Sequence, residues 1–303
     1  MATRHVEAHP ASITFHFDGP IVIDHHVTIR TLGKMLDHAQ NAIDRAYLDL
    51  TYGNVIKHQR LKHDEYEAVD FLALSPREGG YIIEMISATG RQIVDRLAAA
   101  LTVAYEQDFA EGEEEHTRLL EQASIRERVY QTTKAAVPFE EFVAREEGNL
   151  ARAYGDRSIV KEIDQVLSLI RTERHQGSTL ELSTYGTRAH PRLEFDSQRA
   201  ARFHAVVSER RVGEPIILNI ELRSLDAGRA NQVAHGKARN VETGKEFNFL
   251  VPSPRVFDRL TRYLRRRRRT VIRVIGCPIF EYNAFDHNAG DVVLIEFEGE
   301  ANG

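Results

Sequence analysis

The last ninety residues constrain the fold most. Apolar residues recur at every second position in three successive stretches, at about 215–223 (Ile216, Leu218, Ile220, Leu222), 232–239 and 246–251 (Phe247, Phe249, Val251). That period is the mark of strands with one buried side. Val241-Glu242-Thr243-Gly244-Lys245 places a glycine at the tip of a hairpin between the last two. Ser253-Pro254 then opens a helix, because a serine caps the free N–H groups and a proline at the first helical position loses no bond. Phe257, Leu260 and Leu264 supply its expected buried face, and two further strands follow, Val271 to Ile275 and Val292 to Phe297. Five strands in so short a span close on themselves most readily. Residues 211–303 are therefore expected to form a five-stranded small β-barrel with a basic helix, OB-like because the helix falls between the third and fourth strands, with an SH3-like barrel as the nearest alternative.

Upstream, Ile13, Phe15 and Phe17 alternate with Thr14 and His16, and Ile21-Val22-Ile23 offers a second short strand after Gly19-Pro20. Asp24 is placed to cap a helix whose apolar stripe runs Ile29, Leu32, Leu36, Ala39, Ile43, Ala46, Leu50 and stops at Tyr52-Gly53-Asn54. Val69, Phe71 and Leu74 predict a strand, turned by Ser75 to Gly80 into the return strand Tyr81 to Ile86, and a helix follows Gly90. Hairpins alternating with helices predict an α+β domain over 1–110, with helices on one face of an antiparallel sheet. Residues 111–210 read as an acidic, mainly helical middle segment attached to that domain. Three helices are expected there, carrying Leu119-Leu120, Ile125 and Val129; Phe139, Phe142, Val143 and Leu150; and Ile159, Ile163, Val166, Leu167 and Ile170. Short β segments at Leu180, Leu182 and at Leu193, Phe195 precede a last helix after Ser197.

The chain has 303 residues, 42% of them hydrophobic and 28% charged, which excludes a disordered or collagen-like chain. One cysteine, Cys277, excludes an intrachain disulfide and any cysteine-rich metal centre. No apolar run reaches the roughly 20 residues of a membrane helix, and Met1 to Glu7 holds no apolar leader, so a cytoplasmic protein without membrane association is expected. The net charge of −5 conceals an asymmetry: residues 1–200 carry 23 Lys+Arg against 32 Asp+Glu, and residues 201–303 carry 17 against 13. The acid is concentrated between Glu106 and Glu147, the base between Arg255 and Arg273. Opposite charges at the two ends suggest separate partners or head-to-tail attraction between copies.

The candidate ligand-binding residues lie in that basic stretch. Arg259, Arg262, Arg266 and Arg269 share one face of the predicted helix, and Arg265 adjoins them. Guanidinium groups grip phosphate and carboxylate in a planar fork, so such a stripe suits a polyanion. Tyr263, Tyr282 and Phe285 are near in sequence, and base stacking on their rings would complete a single-strand site. The competing account is a solvated or interfacial helix C-terminus whose cations are satisfied by acids elsewhere. Fourteen histidines, among them His16, His25, His26 and His38, show neither H-E-x-x-H nor H-x-H spacing, so no metal site is assigned and no cofactor is expected. A P-loop, a G-x-S-x-G elbow and a dinucleotide fingerprint are absent.

Gly276 to Asp286 (GCPIFEYNAFD) with Ala289-Gly290-Asp291-Val292-Val293, and Thr31-Leu32-Gly33-Lys34 through Asp44 to Asp49, resemble an uncharacterised family of bacterial two-domain proteins with an α/β N-terminal domain and a C-terminal small barrel. The resemblance implies the two-domain layout and a bacterial or phage source. It brings no activity and no catalytic residues. The function expected is that of a non-enzymatic binding or assembly protein, homo-oligomeric, whose barrel docks a partner or anionic ligand. The alternatives are nucleic-acid or nucleotide binding through Arg262–Arg269 and a hydrolase around Asp24, His25 and Glu84.

Overall fold

The computed structural model describes residues 9–53, 55–56, 59–77, 79–107, 115–188, 190–228, 232–264 and 270–301, with side chains throughout except at 115–118 and 146–148. In chain order its elements are β1 (Ala11–Asp18), α1 (Ile29–Tyr52), α2 (Tyr66–Val69), β2 (Leu72–Ala73), β3 (Tyr81–Ser87), α3 (Arg91–Glu106), α4 (Glu115–Thr133), β4 (Val137–Pro138) and α5 (Phe139–Leu167). They continue with β5 (Thr179–Tyr185), β6 (Arg192–Phe195), α6 (Ser197–Ser208), β7 (Arg210–Val212), β8 (Ile216–Asp226), β9 (Ala234–Asn240), β10 (Glu246–Val251), α7 (Pro254–Leu264), β11 (Val271–Glu281) and β12 (Val292–Glu300). The class is α+β, as the sequence predicts. The chain divides into two compact units, each discontinuous: 1–109 with 155–208, and 110–154 with 209–303. The expected middle segment, 111–210, is thus shared between them, and its second and third predicted helices are one helix, α5.

The first unit holds a five-stranded antiparallel sheet in the order β2-β3-β1-β5-β6. Ile13, Phe15 and Phe17 of β1, Ile83 and Met85 of β3, and Leu180 and Leu182 of β5 are buried on one side. Thr14, His16, Glu84 and Glu181 on the other side are half-exposed. α3 packs on β1, β5, α1 and α6. Two local expectations are corrected here. The stretch Ile21-Val22-Ile23 is a turn rather than a strand, closed by the Ile23–His26 bridge with Asp24 and His25 in left-handed conformation (φ 47° and 63°). The cap of α1 is therefore Thr28, whose hydroxyl accepts from the Thr31 N–H at 3.1 Å, and not Asp24. The buried stripe of α1 is Thr31, Met35, Ala39, Ala42, Ile43, Ala46 and Asp49, while Ile29 and Leu50 are exposed. Of the predicted stripe, Ala39, Ile43 and Ala46 are buried, while Leu32 and Leu36 are half-buried. Val69 ends the short helix α2, and the predicted 69–74 strand is only the two-residue edge β2.

A buried ion pair ties three helices of this unit. Arg96 of α3, 5% exposed, donates from Nε to Asp49 Oδ2 of α1 at 2.5 Å, and its Nη2 lies 2.7 Å from Asp156 Oδ1 of α5. A Cβ at position 155 would sit 2.2 Å from Asp49 Oδ1, so the glycine in the middle of α5 is where the carboxylate fits. Removing one partner of a buried pair leaves the other charge desolvated. Asp49→Ala is expected to cost about 3–5 kcal/mol of stability, read as a lowered urea midpoint. A loss within the range of an exposed salt bridge would show that Arg96 finds water instead.

The second unit contains the barrel. β8 pairs with β9, β9 with β10, β10 with β12 in parallel, β12 with β11, and β11 back with β8, which closes five strands on themselves. The helix α7 lies between the third and fourth barrel strands, as predicted. Ile216, Leu218, Ile220, Ala238, Phe247, Phe249, Val274, Leu294 and Phe297 fill the interior, joined by Val256 and Leu260 of α7 and by Phe139 and Leu150 of α5. Leu264 is 38% exposed, so the buried face of α7 is Val256 and Leu260 with Phe257 at its edge. On the outer side, Leu119, Ala123 and Tyr130 of α4 cover Val293 and Ile295 of β12 and Ile275 and Cys277 of β11. The apolar stripe of α4 is used on its own barrel, leaving Ile125 and Val129 about half exposed.

Candidate functional site

Two irregularities in β12 build the site. Ile275 pairs with Glu296 and Gly276 with Leu294, so Ile295 is an extra residue; Arg273 pairs with Gly299 and Val274 with Phe297, so Glu298 is another. Each extra residue shifts the alternation of side chains by one. Val292 and Leu294 face the interior, and in an unbroken strand Glu296 would follow them there. The bulge instead gives the interior position to Phe297 and turns Glu296 outward. Gly299, at φ 147°, occupies a backbone region that side-chain-bearing residues rarely adopt, beside the second bulge.

Glu296 is the hub. Arg255 and Arg259 are one helical turn apart on α7 and both reach it: Arg255 Nη2 donates to Oε2 at 2.6 Å and Arg259 Nη1 to Oε1 at 3.3 Å. Arg259 also donates to the Phe297 carbonyl at 3.1 Å. Gln131 Nε2 of α4 donates to Oε2 at 2.8 Å and the Phe297 N–H to Oε1 at 3.0 Å. Burial alone would raise the carboxyl pKa, but the bonds from Gln131, Arg255 and Phe297 together with the Arg255 charge hold it below the ordinary carboxylate value. Nearby Glu127 is displaced the other way, by burial and by the Glu296 charge.

Beside the hub opens a cleft of about 490 Å³, lined by Tyr130, Lys134, Arg255, Arg259, Arg273 and residues 296–300. The Tyr130 hydroxyl donates to Glu298 Oε1 at 2.8 Å, and burial followed by that bond pushes its pKa up to about 12. Lys134 lies 5.0 Å over the Tyr130 ring and donates to Gln131 Oε1 at 2.8 Å. Arg273 is exposed, and among the described residues neither Lys134 nor Arg273 has a carboxylate partner.

The predicted ligand residues are distributed differently from expectation. Arg259 lines the cleft but is engaged by Glu296, so for this residue and Arg255 the competing account, acids elsewhere in the chain, describes the contacts. Arg262 is exposed on α7 and has no carboxylate partner among the described residues. Arg265, Arg266 and Arg269 lie outside the described residues. The stacking platform is corrected: Tyr282 is 8% exposed at φ 52° with its N–H on the Glu209 carbonyl, Phe285 belongs to the core, and Tyr263 leans on Phe297 with ring centres 5.1 Å apart. The sequence reading missed Tyr130, Lys134, Glu296 and Glu298. Its available signal was an acid inside the apolar run Val292 to Phe297, which alternation alone would have buried.

Other candidates are not assembled. Asp24 and His25 are exposed in their turn, and Glu84 accepts from Arg77 Nη2 at 2.9 Å on the open side of the first sheet. His38 and His204 pair singly with Glu162 and Asp164 at 2.7 and 2.9 Å. Among the described residues there is no group of three or more side chains able to hold a metal, and no helix long and apolar enough to cross a membrane. Cys277 is buried under α4, and burial pushes its thiol up to about 12, so it stays protonated. Comparison with known protein families, with curated proteins and with solved structures finds no match.

Glu296 is lower in pKa folded than unfolded, so its contribution to stability is fully present above the ordinary carboxylate value of 4.5 and is lost as pH falls through the folded value. Wild-type stability is expected to decline through that acidic window, and Glu296→Gln to make the decline shallower, in urea titrations followed at several pH values. An unchanged slope in the variant would remove Glu296 from the acid response.

Proposed function

We propose that this chain is a non-enzymatic binding protein whose C-terminal barrel docks an anionic ligand or partner at the α7–β12 cleft. The observation that carries the reading is the convergence of Lys134 and Arg273, cations without a carboxylate partner among the described residues, on an open cleft beside the arginines of α7. Its volume lies within the range of small-ligand and side-chain pockets. The Glu296 hub ties α4, α7 and β12 together without a ligand, which suits a preformed site. Self-association fits the exposed Ile125 and Val129 on α4, four residues apart on one face.

Fluorescence anisotropy with a labelled ten-residue polyglutamate tests the cleft. Binding that weakens as salt rises, and falls about tenfold or more in a Lys134→Glu/Arg273→Glu variant, is expected. Binding equal in the variant and wild type would place the site elsewhere. Absence of binding by this probe and also by a ten-residue peptide of alternating glutamate and lysine would end the reading.

A second reading is nucleic-acid binding. The helix between the third and fourth barrel strands fits an OB-like reading of the connectivity, an arrangement that binds oligonucleotides on its second and third strands, here β9 and β10, and five consecutive arginines lie between Leu264 and Thr270 in sequence. The charges around those strands favour it less: Arg223 of β8 lies 3.4 and 3.3 Å from Glu221 and Glu246, Arg239 of β9 approaches Glu221 at 3.7 Å, and Phe247 and Phe249 point inward, so that His235 is the exposed ring that β9 and β10 offer a base. Oligonucleotide binding that is lost in Arg266→Glu/Arg269→Glu and kept in Lys134→Glu/Arg273→Glu would make this the better account.

A further inference from the structure

The cleft is not uniformly positive. Glu298 and Glu300 line the same opening as Lys134 and Arg273, and Arg273 pairs across the sheet with Gly299, between the two acids. Glu298 is the extra residue of a bulge, an irregularity that re-aims a side chain. The Tyr130 hydroxyl, on a ring only 4% exposed, holds its carboxylate in place at 2.8 Å. A ligand carrying negative groups alone meets Arg273 and Lys134 but also the charge of Glu298. A ligand with a basic group next to its acid satisfies both signs, and alternation of sign across an interface selects partners more than it strengthens them.

We infer that Glu298 is a specificity-determining residue of the cleft, and that the partner it selects is a polypeptide segment with adjacent acidic and basic side chains rather than a polyanion. The inference rests on the docking reading above. Glu298→Gln is the decisive variant, since glutamine keeps an acceptor for Tyr130 while losing the charge, and position 298 is exposed. The probes are two labelled ten-residue peptides, one of alternating glutamate and lysine and one of glutamate only, titrated into the full chain. Wild type is expected to bind the alternating peptide more tightly. In E298Q the polyglutamate should gain about two- to fivefold in affinity and the alternating peptide lose a similar factor, the scale of an exposed ion pair. Both peptides changing together, or neither changing, would overturn the role of Glu298 while leaving the docking site standing. Absence of binding by either peptide to either protein would overturn the docking reading and this inference with it.

Discussion

The barrel unit depends on one carboxylate. Glu296 sits in a strand that is otherwise apolar from Val292 to Phe297, and a charge at an interior position there would face several kcal/mol of desolvation. The bulge at Ile295 removes that conflict by turning the residue outward, where two guanidinium groups, an amide and a backbone N–H receive it. The same contacts hold α4 and α7 against β12, and so fix the walls of the cleft. They also use Arg259, one of the arginines expected to hold a ligand, together with Arg255. Of the described cations lining the cleft, Lys134 and Arg273 remain for an external anion.

The charge asymmetry of the sequence acquires a different meaning. The acidic stretch beginning near Glu106 and the basic stretch beginning at Arg255 suggested attraction between copies. Most of both belongs to one unit, where the charge of Arg255 on α7 acts on Glu127 of α4 against the raising effect of burial. The opposition is therefore partly met within a single chain. Self-association then rests on exposed apolar residues of α4 rather than on net charge.

Strands were legible wherever one side faces a core, because alternation is dictated by burial; β1, β3, β8 and β10 follow it closely. The Ser253-Pro254 start of α7 was equally plain. The run of α5 through residue 155 was not, since a mid-helix glycine reads as a break unless Asp49 is known to lie against it. The site was legible only in part. Proximity in sequence suggested that Tyr282 and Phe285 share a surface, but left-handed residues at Tyr282 and Asn283 fold both rings inward. Tyr130 of α4 and Lys134 just past its end lie more than a hundred residues before the barrel strands they face, and no local pattern reports such a contact.

Hydrogen exchange of the full chain, with and without the alternating glutamate–lysine peptide, tests the placement of the site most directly. The account predicts slowed exchange in the end of α4, in α7, at the start of β11 and across residues 296–300, with β9 and β10 unchanged. Protection centred on residues 234–251, with the α7–β12 region unaffected, would contradict it.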